Sequence, residues 1–165
     1  MYGAISARKR PYGESLITAI AVGGFFITVG LIFALTPDLW DRTTGFFNNI
    51  TTVYFPYGGS NSTISLPAPL YPADHSTFYT ALMQFAIGIG VLQVIILPLR
   101  LHYHSRIGKI AETVGNLIFW FGAAFLVNIF LLAGTLTGWF GFWGALIILI
   151  GVSIVARALV YFAKR

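Results

Sequence analysis

The run GWFGFWGALIILIGVSIVARALVYFA (138–163) carries a single charge, Arg157. About 20 predominantly apolar residues suffice for a helix to cross the hydrocarbon core of a bilayer, so this run reads as a membrane span. Three more appear on working outward from it, at about 110–134, 78–101 and 15–35. The first ends at Thr36-Pro37-Asp38, where proline and the acid stop both helix and hydropathy. It is long for a cleaved signal peptide and lacks a small-residue cleavage site, so it reads as a retained, signal-anchor-like helix. The expected fold is all-α: one membrane domain over 1–165, a four-transmembrane-helix antiparallel bundle.

Composition agrees. The chain is 57% hydrophobic and 9% charged, against about 25% charged residues in a soluble domain. The net charge is +5. The basic residues stand at the ends of the apolar runs, which points to membrane lipid headgroups and topology, not to nucleic acid. The chain has no cysteine. That excludes disulfides, thiolate metal sites, Fe–S clusters and thiol chemistry.

Orientation follows from the same charges. Arg8, Lys9 and Arg10 precede the first span; Arg100, Arg106 and Lys109 separate the second from the third; Lys164 and Arg165 follow the fourth. The loop 36–77 has Arg42 against Asp38, Asp41 and Asp74, and Thr135-Leu136-Thr137 carries no charge. The positive-inside rule predicts cytoplasmic N and C termini in a plasma or cell membrane, with 36–77 outside.

That external loop has strand chemistry. Ile50–Phe55 is β-branched and aromatic, Ser62–Leu66 alternates polar with apolar, and 56–61 between them has turn composition. A small β-hairpin lying over the bundle is predicted, with Pro67, Pro69 and Pro72 then leading extended chain to the second span. Asn49-Ile50-Thr51 and Asn61-Ser62-Thr63 are sequons. Asn49 and Asn61 are candidate glycosylation sites, or chance matches in a loop rich in Asn, Ser and Thr.

Small residues recur a heptad apart at Gly23 and Gly30, Gly115 and Gly122, and Gly144 and Gly151. Helices in lipid associate through close approach at such residues, so these six are candidate packing positions; the alternative is hinges for transport. Trp139, Phe140, Phe142 and Trp143, with Trp40, Phe46, Phe47 and Tyr79, read as an outer aromatic belt. Tyr103, Tyr161 and Phe162 read as an inner one. A quinone or haem pocket made from these aromatics is the alternative.

Polar residues at membrane depth are functional hypotheses by default. Glu112 and Arg157 lie at matching distances from the turn at Leu136, which predicts an ion pair fixing helix register; a proton relay is the alternative. Gln84, Gln93, Asn116, Asn128 and Ser153 are candidates for interhelical hydrogen bonds or for a permeation path. No acid sits at mid-membrane as a proton-coupled exporter would need. His102 and His104 flank Tyr103 without an accompanying carboxylate, and His75 is expected across the bilayer, so no metal site, cofactor or catalytic residue is assigned.

With a long, strand-bearing first external loop, a short inner loop and cytoplasmic ends, the layout resembles the claudin-type four-helix membrane proteins over the whole chain. That family's external signature sets a Trp and Gly-Leu-Trp beside two cysteines. Asp38-Leu39-Trp40 stands at that place here, without cysteine, and the second external loop is reduced to a turn. Small-residue stripes, a compact bundle, an ordered-looking external loop and the lack of a reaction centre point to lateral association without catalysis. Four functions are open at this stage: a structural or accessory component associating with its own copies or other membrane subunits, a small transporter or channel, a cofactor-free subunit of a redox complex, and a viral or cellular shell protein.

Overall fold

The computed structural model describes residues 12–56 and 63–163. In chain order these form α1 (Tyr12–Leu35), α2 (Leu39–Asn48), β1 (Ile50–Pro56), β2 (Thr63–Pro69), a short 3-10 turn (Pro72–His75), α3 (Ser76–His102), α4 (Ile107–Leu126) and α5 (Leu136–Ala163). A single π-helical turn, Val127–Leu131, prolongs α4. Four helical segments are long and apolar enough to cross a membrane: Gly13–Leu35, Pro72–His102, Ile107–Leu131 and Leu136–Ala163. They match the four apolar runs to within a few residues. α5 starts before Gly138 because the Thr135 hydroxyl accepts the Gly138 N–H at 3.0 Å, a side-chain N-cap.

The helices pack antiparallel, chiefly in a row. Ile17 of α1 nests with Leu92 and Ile96 of α3. Ala86 of α3 meets Ala123 and Ala124 of α4. Leu149 of α5 covers Gly122 of α4. Among the described residues, α1 has no substantial packing on α5.

The expected glycine stripes divide accordingly. Gly115 and Gly122 lie against α5, under Arg157 and Leu149. Gly23, Gly30, Gly144 and Gly151 are exposed, and a Cβ on any of them would meet no other element within 4 Å, so within one chain they are not packing positions. A spacing of seven keeps residues on one face without saying which face. On α1 the inward face carries Ile17, Gly24 and Thr28, with Gly24 under Leu92 and Thr28 over Gly88.

The strands pair antiparallel, from Ile50 opposite Pro69 to Pro56 opposite Thr63. The turn that joins them, 57–62, is outside the described residues, as are the basic ends 1–11 and 164–165. Pro67 and Pro69, expected in extended chain beyond the hairpin, belong to β2 itself. The reason is parity. The Leu70 N–H donates to the Asn49 carbonyl, which puts even-numbered residues of β2 on the bonded edge. Proline at 67 and 69 therefore removes no ladder bond.

The helix α2 was not anticipated. Its apolar residues Leu39, Trp40, Phe46 and Phe47 fall on one arc, with Thr43 between them. Phe46 is buried against the bundle, while Trp40 and Phe47 stay exposed. Asp38 enters the helix with a left-handed backbone, φ 54°.

Candidate functional site

Two places combine unusual chemistry with defined geometry, one at each end of the helix row. At the end away from the hairpin, the first turns of α1 and α4 meet the last turns of α3 and α5. The Lys109 ammonium donates to the Glu14 carboxylate. Arg100 donates to the Lys109 carbonyl oxygen and lies 4.0 Å from the Glu112 carboxylate. Arg157 donates from Nη2 to Asn116 Oδ1 at 2.5 Å. These contacts tie α1 to α4, α3 to α4 and α4 to α5 over the first three turns of α4.

The predicted Glu112–Arg157 ion pair does not form. Matching depth was read correctly as proximity, since both residues border one groove between α4 and α5. Direction decides the rest. The Arg157 stem lies over Gly115, where a Cβ would collide with it. That notch leads the guanidinium to Asn116, one turn deeper than Glu112. Glu112 is exposed and turns to Arg100. Glu14–Lys109 went unread in the sequence, although each is a charged residue in the first turn of an apolar helix.

Asn116 is held by Arg157, while Gln84 and Asn128 are exposed on the outside of α3 and of the π-helical turn. Ser153 donates to the Ile150 carbonyl of its own helix. Among the described residues no group of three or more His, Cys, Asp or Glu converges as a metal site would require.

At the other end the hairpin is seated on the bundle. Trp139 Nε1 donates to the Pro67 carbonyl at 3.1 Å, and Ala68 is wholly buried. Phe46 of α2 stacks on Phe78 of α3 with centroids 4.5 Å apart and tilts against Trp139 at 5.9 Å. Asn49 closes α2 and accepts the Tyr71 N–H on Oδ1 at 3.1 Å, so this sequon residue also braces the strand exit. Asn61 lies outside the described residues. A cavity of about 490 Å³ opens at the polar end beside Glu14, Tyr103 and Lys109. A more apolar one of about 620 Å³ lies under the hairpin, walled by Phe46, Leu66, Tyr79, Leu131, Trp139 and Trp143. The aromatic residues read as a belt thus divide, with Phe46, Tyr79, Trp139 and Phe142 in the core and Trp40, Phe47 and Trp143 exposed.

Comparison with known proteins finds no family model, no curated protein and no solved structure that matches this chain.

Proposed function

We propose that this chain is a non-enzymatic integral membrane protein that associates laterally with copies of itself, as a structural or accessory component of a membrane assembly. The observation that carries the reading is the outward placement of Gly144 and Gly151 on α5 and of Gly23 and Gly30 on α1, where a Cβ would find no other residue of the chain within 4 Å. Each stripe is flanked by large exposed apolar residues, Ile147 and Ile148 on α5 and Phe26 and Ile27 on α1. A groove of this kind admits a second helix at close range. The termini are assigned to the cytoplasm and the hairpin to the outside. The support is that Arg100, Arg106, Lys109 and Arg157 stand at one end of the row, while Asp38, Asp41 and Asp74 stand at the other. In this respect the architecture is similar to that of claudin-type proteins, with the second external loop reduced to 132–135.

The absence of cysteine makes the test direct. Single cysteines at Gly23, Gly144 and Gly151 are oxidised in native membranes, with Ala124, buried between α3 and α4, as the control. Disulfide-linked dimers are expected at one or more of the glycine positions and none at the control. Monomer throughout, with no membrane subunit recovered on purification, overturns the assembly reading.

A further inference from the structure

We propose that the cavity under the hairpin holds one hydrocarbon chain of a membrane glycerolipid, and that the oxygen linking this chain to glycerol accepts a hydrogen bond from Tyr79. The inference rests on the four spans lying in a bilayer and is independent of lateral assembly. Four observations converge on it.

The space is of the right kind. At about 620 Å³ it falls within the range of about 300–1,000 Å³ over which proteins hold small molecules. Its walls are aromatic and aliphatic side chains from α2, the hairpin, α3, the π-helical turn and α5. Water does not occupy such a space without two or more polar partners. At its rim Phe47 and Trp143 are exposed, so the cavity is continuous with the apolar outer surface of the helices.

The polar accounting is incomplete without an occupant. Tyr79 is 1% exposed and lines the cavity. Its hydroxyl has no hydrogen-bond partner among the described residues, although buried hydroxyls are nearly always paired. His75, one helical turn earlier, likewise has a buried Nε2 without a partner. Both rings meet Phe46, at 5.3 Å from His75 and 5.9 Å from Tyr79. Trp139 Nε1 is already engaged by Pro67. Among the residues that line the cavity, Tyr79 therefore carries the buried donor without a partner.

Depth selects the class of molecule. α3 has 27 residues, which span about 40 Å at 1.5 Å per residue, against about 30 Å of hydrocarbon. Its first turn, where Tyr79 sits, therefore lies at the interface. The first turn of α5, with Trp139, lies beside it. This is the level at which glycerolipids carry their chain-linking oxygens, with hydrocarbon on one side and headgroup on the other. A chain entering past Phe47 and Trp143 would leave its linking oxygen near Tyr79.

The test uses the full chain purified in detergent and exposed to vesicles of one lipid. The ester-linked probe is palmitoyl-oleoyl phosphatidylcholine; the second arm uses its dialkyl ether analogue. Native mass spectrometry then counts lipid retained after delipidation, with circular dichroism checking that each variant is folded. Wild type is expected to retain one lipid per chain. Retention in both arms is the result expected, because the ether keeps the linking oxygen; retention of the ester alone overturns the assignment, because the carbonyl would then be the acceptor. Tyr79→Phe should weaken retention about tenfold wherever it occurs, and Leu82→Trp, which fills the cavity, should abolish it. Four further results overturn the proposal: no lipid retained by wild type, retention by folded Tyr79→Phe equal to wild type, retention unaltered in folded Leu82→Trp, or displacement of the lipid by one equivalent of a short-chain quinone.

Discussion

Lys109 and Glu14, ninety-five positions apart in the chain, are joined by a direct hydrogen bond between ammonium and carboxylate. This contact fastens α1 to α4. Elsewhere α1 leans mainly on α3.

Glu14→Gln and Lys109→Met should each lower stability by about 1 kcal/mol, since the pair is partly exposed and each change strands the other partner. The double variant should lose less than the sum of the two singles. Thermal unfolding in detergent checks this; strict additivity would show that the residues do not act as a pair.

Asn116→Leu removes the one acceptor found for the Arg157 guanidinium, whose buried Nε already has none among the described residues. A loss of about 2 kcal/mol is expected, as for a hydrogen bond to a charged group. Adding Arg157→Leu should restore part of it. A double variant no better than Asn116→Leu would separate the two residues.

The glycines should divide by readout. Gly115→Ala and Gly122→Ala force Arg157 and Leu149 aside and should lower the unfolding temperature of the dispersed chain. Gly144→Ala and Gly151→Ala should not lower that temperature, and should stabilise the dispersed chain by up to about 1 kcal/mol, while weakening self-association in lipid. Analytical ultracentrifugation in micelles, beside the thermal scan, separates the two effects.

Trp139→Phe deletes the hydrogen bond that seats β2 on α5, at a cost of about 1 kcal/mol. Amide exchange should quicken over 63–69 and stay unchanged in α4. Gly134→Ala should loosen the same end of the molecule, since its φ is 64° and a Cβ would meet Ala73 at 3.0 Å from Cα.

Single cysteines replacing Thr52 in β1 and His102 at the end of α3 should react with an impermeant maleimide from opposite faces of sealed membranes. Labelling of both from one face is incompatible with the four-span orientation proposed.

The four spans and the hairpin were legible because each has a strong one-dimensional signature: about 20 apolar residues in a row, or β-branched alternation interrupted by glycine. What escaped needed an angular coordinate. Glu112 and Arg157 were placed at the right depth, yet depth did not reveal that Gly115 would steer the arginine to Asn116. The heptad from Gly23 to Gly30 named a face of α1 but not its neighbour, and the inward face lay one residue on, at Gly24. α2 escaped for a different reason. Arg42-Thr43-Thr44-Gly45 is weak in helix propensity, and Trp40, Phe46 and Phe47 were read as belt residues before their helical spacing was weighed. The cavity beneath the hairpin could not be foreseen, because its walls come from five separate segments.

The bond from Trp139 to Pro67 spans 72 positions, and this has a consequence for biogenesis. A ribosome adds about 5–20 residues per second, so β2 is made roughly 4–14 s before the indole that will receive it. Throughout that interval the two strands are a lone ribbon, a form only marginally stable in water. Tyr54 and Ile64, both exposed even in the finished protein, gain no cover when the helix bearing that indole arrives. The nascent chain is therefore most open to capture or misassembly between the synthesis of its hairpin and the arrival of its last helix.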